Sequence, residues 1–285
     1  MSVPAGAATV GRLLDESRRR LEAAGVPDPG REAVALVALA LGTDRGGVLA
    51  RKPDPVAEAE AERLDTLVAA RVRRVPLQYL AGAVEFHGLR IVVGSGVLIP
   101  RPETEDLVDA VLALPLSADA RVADLGTGSG CIAAALAAAR REWRVTAIDR
   151  SPEALAIAAS NLPQRVHLVQ RDFAKVPEPE RGVYDVVVSN PPYVSEAEWK
   201  DLEPEVRDHE PRAALVPGPG GDEAYRAVAQ ASSSLLKPEG WLALELGFAS
   251  ASAASGHVAG AGFVDIEVRP DLRGIPRILL ARRPR

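Results

Sequence analysis

Apolar residues recur at helical spacing through the first 83 residues: Val10, Leu13, Leu14 and Leu21 in one segment, Ala33, Leu36, Val37, Ala40 and Leu41 in a second, and Ala57 through Val72 in a third. Turn-forming clusters at Pro27 to Gly30, Gly42 to Gly47 and Lys52 to Pro55 separate them, which predicts a small bundle of three or more helices. After Pro76 the period changes, and Ala83 to His87 and Leu89 to Val93 flank Gly88 as the two short strands of a hairpin. From Glu103 onward helical and strand patterns alternate. Helices are expected near 105–113, 130–140, 152–161 and 222–236, and strands near 121–125, 143–148, 165–169, 183–188, 241–246, 263–268 and 275–281. This interleaving predicts an α/β fold, a mostly parallel seven-stranded sheet covered by helices on both faces. The last two strands, separated mainly by Arg269 to Gly274, are expected to form an antiparallel hairpin at its edge. The division predicted is a helical domain over 1–82, a β-hairpin linker over 83–102 and an α/β domain over 103–285.

Composition narrows the class. The 285 residues are 47% hydrophobic and carry 34 Lys and Arg against 39 Asp and Glu, enough apolar side chains for one or two sizeable cores. No apolar run reaches the ~18 uncharged residues of a membrane-spanning helix, so no membrane partner is expected. Met1 to Val10 has neither a basic start nor a long apolar stretch, and Cys131 is the only cysteine, so a cytoplasmic location without intrachain disulfides is expected. His87, His167, His209 and His257 lie far apart, and no CxxC or HExxH pair exists, so no metal site is expected. The net charge of -5 argues against a protein whose affinity comes from neutralising many phosphates, and no nucleic-acid substrate is expected. Arg71, Arg73 and Arg74 form the one basic spot, expected as a solvated helix C-terminus that complements the helix dipole.

The strongest chemical signal is Arg121-Val-Ala-Asp-Leu-Gly126-Thr-Gly128-Ser-Gly130 leading into Cys131 to Ala139: strand, glycine loop, helix. Glycines let the backbone approach a ligand, and the helix N-terminus supplies free N–H groups. A dinucleotide fingerprint is only approximated, by the displaced Gly128-x-Gly130-x-x-Ala133. Asp149 closes the next strand about 20 residues on, the offset at which an acidic side chain accepts hydrogen bonds from ribose hydroxyls. Together they imply an adenosine-containing cofactor. Asp172 and Phe173 follow the third strand, where one could bond an adenine amino group while the other packs on the ring. The fourth strand ends in Ser189-Asn190-Pro191-Pro192-Tyr193. Two prolines remove two backbone donors, leaving the Asn190 side-chain oxygen and the Pro191 carbonyl to accept both hydrogens of a planar NH2 group, with Tyr193 offering an aromatic face. The acceptor so described is an amide or an exocyclic amine. In a doubly wound sheet the loops after the first and fourth strands meet at the topological switch point, which would face this clamp toward the glycine loop.

Through Asp124-Leu-Gly-Thr-Gly-Ser-Gly130, Asp149 and Asn190-Pro-Pro-Tyr193 the chain resembles a class I S-adenosylmethionine-dependent methyltransferase, with its Rossmann-like sheet. Asn-Pro-Pro-Tyr is shared with DNA adenine-N6 and ribosomal-protein glutamine methyltransferases and does not choose among substrates. Leu98-Ile-Pro-Arg-Pro-Glu-Thr-Glu105, however, resembles the segment typical of the HemK/PrmC family, protein-(glutamine-N5) methyltransferases of peptide chain release factors, and Glu210-Pro-Arg-Ala-Ala-Leu215 fits that family too. The stretch Gly218-Pro-Gly-Gly-Asp222-Glu223 departs from it, with Pro219 and Glu223 where glycines are usual.

What the resemblance implies is S-adenosyl-L-methionine as cofactor and methylation of the Gly-Gly-Gln glutamine of class I release factors in translation termination, with the helical domain helping to recognise the factor. Gly126, Thr127, Gly128, Ser129 and Gly130 would hold the methionine end of the cofactor, Asp149 the ribose and Asp172 with Phe173 the adenine region. Asn190, Pro191, Pro192 and Tyr193 would hold the glutamine side chain, with Asn190 near both cofactor and substrate and with Asn190, Pro191 and Tyr193 as the catalytic group. The Pro100 to Glu105 segment would line the cofactor and substrate pocket as well, with no contact assigned to Arg101 or Glu103. The alternatives are a glutamine methyltransferase of a ribosomal protein, a DNA adenine methyltransferase, a nicotinamide dehydrogenase and an inactive translation-factor binding module.

Overall fold

A computed structural model describes residues 8–175, 177 and 180–285; the stretch Met1 to Val10, read above for a targeting signal, lies outside them as far as residue 7. Contacts group the chain into two units, one running up to Gly82 and including Pro204–His209, the other comprising Ala83–Glu203 and Glu210–Arg285.

The first unit holds α1 (Val10–Ala23), α2 (Pro29–Leu41), α3 (Arg45–Ala50), α4 (Glu58–Val72) and α5 (Leu77–Ala81). Thr9 caps α1 by accepting the Arg12 N–H, and Asp44 caps α3 by accepting that of Gly47. The apolar stripes read from the sequence meet in one core of Val10, Leu14, Leu21, Leu36, Val37, Val48, Leu64 and Val68. Helix α3 begins inside the Gly42 to Gly47 stretch expected as a turn, because the Asp44 cap and the burial of Val48 outweigh two glycines. The basic spot corrects a second expectation. Arg71 is 3% exposed, with Nε 2.8 Å from Glu32 Oε2 and Nη2 2.7 Å from Glu205 Oε1, while Arg74 reaches Glu205 Oε2 at 2.6 Å. These guanidiniums neutralise partly buried carboxylates instead of lying in water. Removing one partner of such a group would leave a charge out of water without compensation.

The second unit opens with β1 (Ala83–Phe86) and β2 (Leu89–Val92), an antiparallel pair. His87 (φ 49°) and Gly88 (φ 72°) make the two-residue turn, both left-handed as a tight hairpin with right-handed strand twist requires. Then follow α6 (Glu103–Leu112), β3 (Arg121–Leu125), α7 (Cys131–Ala139), β4 (Arg144–Asp149), α8 (Pro152–Asn161), β5 (His167–Gln170) and β6 (Tyr184–Ser189). After α9 (Pro204–His209) of the first unit come α10 (Glu223–Leu235), β7 (Leu236–Glu245), α11 (Ala251–Gly260), β8 (Val264–Pro270) and β9 (Pro276–Arg282). The seven strands β3 to β9 lie in the order β5-β4-β3-β6-β7-β9-β8; β9 runs antiparallel to both neighbours, and the remaining pairs are parallel.

Both faces of the sheet are buried, as the near-continuous apolar runs required. Ala123, Leu125, Val187, Leu242 and Leu244 pack with Tyr225, Val228 and Leu235 of α10 and Ala254 and Val258 of α11. The alternate residues Val122, Val186, Val188 and Ala243, equally buried, point to the other face, where α6, α7 and α8 pack. Helix α11 had no counterpart in the sequence reading: its Ala, Ser and Gly residues carry no strong apolar period, and Ala254 and Val258 are its buried residues, with Ala251 partly buried beside them. Strand β7 starts earlier than expected, with its register against β6 shifting between Tyr184 and Val186 to accommodate Lys237-Pro-Glu-Gly240. The order places β3 beside β6, so the loops that follow them meet where the connections change direction.

Candidate active site

Residues 126–130 close over the ends of β3 and β4. The Gly126 and Thr127 N–H groups both donate to Ile148 O, at 2.9 and 3.0 Å, and the Thr127 hydroxyl donates to Asp124 Oδ2 at 2.6 Å. Gly126, Gly128 and Gly130 all have positive φ (73°, 55° and 80°), a path that L side chains resist. Gly130 adds a packing reason, because a Cβ there would come 3.2 Å from both Ala158 Cβ and Leu162 Cγ. At Gly128, by contrast, a Cβ would meet open space. Asp149, at the end of β4, accepts the Gly128 N–H (2.9 Å) on Oδ2 and the Ser151 N–H (2.9 Å) on Oδ1, which fixes its carboxylate at the loop.

A cavity of about 420 Å³ lies against this loop, within the range of small-ligand sites. Gly126, Gly128, Asp149, Asp172 and Phe173 line it on one side, and Asn190 and Pro192 reach it from the loop after β6. A second, smaller cavity of about 40 Å³ adjoins it and shares Gly126, Gly128 and Asn190; Thr127 and Ser129 line this one, with Thr104, Pro100 and Arg101 opposite. Asn190 thus stands where the two cavities meet. Gly130, Pro191 and Tyr193 line neither cavity. Gly130 starts α7, Pro191 is buried, and the Tyr193 ring packs on the core so close to Gly247 that a Cβ there would come 2.7 Å from Tyr193 Cδ2. Burial pushes the Tyr193 phenol up, so it is neutral at physiological pH. The aromatic ring of Tyr193 is thus partly packed on the core and lines neither cavity.

The two halves are pinned together by Ser189, whose buried hydroxyl donates to Leu125 O at 2.6 Å, tying the end of β6 to the end of β3. Asn190 Nδ2 lies 3.2 Å from Thr104 Oγ1, and that hydroxyl donates to Glu245 Oε2 at 2.6 Å. Glu245 is 1% exposed, and burial, against the pull of Thr104 and Arg277, pushes its carboxyl up to about 7.

Several residues of this frame were given no contact from the sequence. Arg101 donates to Glu210 Oε1 at 2.5 Å, and Glu210 Oε2 accepts the Ile99 N–H at 3.0 Å, so the two segments 98–105 and 210–215 are joined by one buried carboxylate. Glu103 instead pairs with Arg273 at 3.4 Å, away from the cavities. Asn161 accepts the Val92 N–H and donates to Ser129 O at 2.8 Å, linking the hairpin to the glycine loop. The signal that could have found Glu245 is a lone carboxylate at the end of the apolar run Trp241-Leu-Ala-Leu-Glu245. In the departing stretch, Glu223 folds back to accept the Gly220 N–H at 2.9 Å and lines the larger cavity.

Residues 12–82 match the family described as the PrmC N-terminal domain, and residues 104–205 the methyltransferase small domain. The chain is 39% identical over 280 residues to the release factor glutamine methyltransferase of Koribacter versatilis, covering 97% of this chain and 99% of the relative. To the protein of the same name from Cereibacter sphaeroides it is 43% identical over 271 residues, 93% of this chain and 95% of the other. The chain belongs to the release factor glutamine methyltransferase family. A solved structure of a release factor-specific protein-(glutamine-N5) methyltransferase, from Alicyclobacillus acidocaldarius, is 30% identical, covering 66% of this chain and 95% of that one with a TM-score of 0.41. Among the described residues of this family member no helix is long and apolar enough to cross a membrane.

Proposed function

We propose that this protein is a cytoplasmic enzyme that transfers the methyl group of S-adenosyl-L-methionine to the side-chain amide nitrogen of the Gly-Gly-Gln glutamine in class I peptide chain release factors. The observation that carries this reading is similarity along nearly the whole chain to relatives bearing the name release factor glutamine methyltransferase. The larger cavity fits the cofactor. Gly126 and Gly128 line it, Asp149 is fixed at its wall by the Gly128 N–H and would accept ribose hydroxyls, and Asp172 and Phe173, which also line it, would bound the adenine.

When bound, the sulfonium supplies an electrophilic methyl group, so the protein's main task is to orient the nitrogen for in-line displacement. An amide nitrogen is a poor nucleophile because its lone pair is delocalised into the carbonyl. Asn190 Oδ1 and the Pro191 carbonyl accept its two hydrogens, placing negative potential where positive charge develops and acting most strongly in the transition state. The helical unit contributes the surface that recognises the folded release factor. A chain beginning at Leu77 is accordingly expected to bind cofactor and to methylate intact factor poorly.

The test is mass spectrometry of an unmethylated class I release factor after incubation with the protein and S-adenosylmethionine. The expected result is a gain of one methylene mapped to the Gly-Gly-Gln glutamine. Cofactor binding with no modification of the factor would reject the substrate and turn the search to ribosomal proteins.

A further inference from the structure

Glu245 has no part in the chemistry described so far, yet it is almost wholly withdrawn from water and is linked to Asn190 twice, through the Thr104 hydroxyl and by a weaker direct interaction with the Asn190 amide. The hydrogen bonds in this chain have a direction. A threonine hydroxyl has a single hydrogen, and Thr104 gives it to Glu245 Oε2, so the oxygen of Thr104 can only accept from Asn190. The amide of Asn190 must then turn its NH2 edge toward Thr104, which leaves Oδ1 as the edge available to a ligand. A turned-over amide would present an NH2 group to the NH2 of a substrate, two donors facing each other.

We propose that Glu245, acting directly and through Thr104, is a positioning residue that holds Asn190 with its carbonyl oxygen toward the acceptor amide. The inference rests on the glutamine-methyltransferase reading. Its logic depends on charge. An ionised Glu245 can only accept, so the chain runs one way; a protonated one can donate to Thr104, freeing the threonine hydrogen for Asn190 Oδ1 and allowing the amide to turn over. The groups facing Glu245 are Arg277 on β9, which favours the carboxylate, Glu103 on α6, which opposes it, and Tyr193, Tyr225 and Cys131. Burial pushes Tyr225 and Cys131 up to about 12 and raises Tyr193 as well, so all three are neutral in the working range and Glu245 titrates largely on its own.

The experiment compares the full-length wild-type chain with Glu245→Gln, Thr104→Val and Thr104→Ser, measuring kcat and KM for release factor between about pH 6 and 9 and the affinity for S-adenosylmethionine. Wild-type kcat is expected to rise through about pH 7 and level off as Glu245 ionises. In Glu245→Gln, whose amide can turn either edge to Thr104, that rise disappears and plateau kcat falls about threefold or more. Thr104→Val loses roughly tenfold in kcat, Thr104→Ser recovers most of it, and cofactor affinity changes less than about twofold in each. A purely structural role predicts parallel losses in kcat and affinity, and that pattern overturns the proposal. So does a Glu245→Gln enzyme that keeps the wild-type pH rise, or a Thr104→Val enzyme as active as Thr104→Ser. If Glu245→Gln does not fold, the Thr104 pair decides. If the wild-type chain methylates no release factor, the functional reading has failed instead, and the side-chain amide resonances of Asn190 in the free protein decide: they must shift with a midpoint near 7 in the wild type and stay fixed in Glu245→Gln.

Discussion

Asp124 and Glu245 look like one device used twice. Each sits near the carboxyl end of a strand of the same sheet, each is shut off from water, each accepts a threonine hydroxyl at 2.6 Å, and burial pushes each up to about 7. What differs is where the threonine leads. Thr127 belongs to the glycine loop itself, so Asp124 stiffens the backbone that shapes the larger cavity. Thr104 comes from a distant helix and accepts a hydrogen bond from Asn190, so Glu245 sets the polarity of a side chain at the junction of both cavities. A backbone scaffold is suited to holding a ligand, and a polarised side-chain chain to acting on one. Damage on the Asp124 side should therefore appear in affinity and stability, and damage on the Glu245 side in turnover.

The sharpest way to break this contrast is Asn190→Ala. It should lower kcat on the order of 10²-fold to 10³-fold, as loss of a transition-state hydrogen-bonding group does, while cofactor affinity changes little. Equal losses in both would end the division of roles. Asp149→Ala should do the reverse. Losing a charged acceptor costs about 1.5–3 kcal/mol, so calorimetry should find cofactor affinity down roughly ten- to a hundredfold with kcat at saturating cofactor largely kept.

The smallest effect is on stability. Because the folded protein holds its protons on Asp124 and Glu245 to higher pH than the unfolded chain does, their contribution is full below the ordinary carboxylate range and is lost as pH rises through about 7. Carboxylates held low by partners, such as Asp271 and Glu267, titrate below that window. Urea unfolding should therefore show the wild type less stable at about pH 8 than at about pH 5, and Asp124→Asn should flatten the difference. A wild-type stability independent of pH across this interval would mean that neither carboxyl holds its proton as burial requires.

Most of the architecture was legible because its causes are local. Glycines at positive φ, prolines that delete donors and apolar runs of strand length act over a few residues, and they marked β3, the loop 126–130, Asp149 and the turn at Asn190. Where local signals were weak, the reading missed elements: α3 with its two glycines and α11 with its small residues form because they bury Val48 and Ala254 with Val258. Arg71 shows the harder limit. Its helix position predicted a solvated charge, but its partner Glu205 lies 134 residues further along the chain, and no periodicity reports a pairing at that distance. The same holds for Arg101 with Glu210, and for Glu245 with Thr104, 141 residues apart. Sequence alone determined the sheet, the glycine loop and the rigid turn at Asn190, because each follows from backbone conformations that particular residues permit. Only the tertiary structure decided which way Tyr193 faces, which charges are buried and what holds Asn190, because burial and hydrogen-bond direction arise from residues that folding brings together.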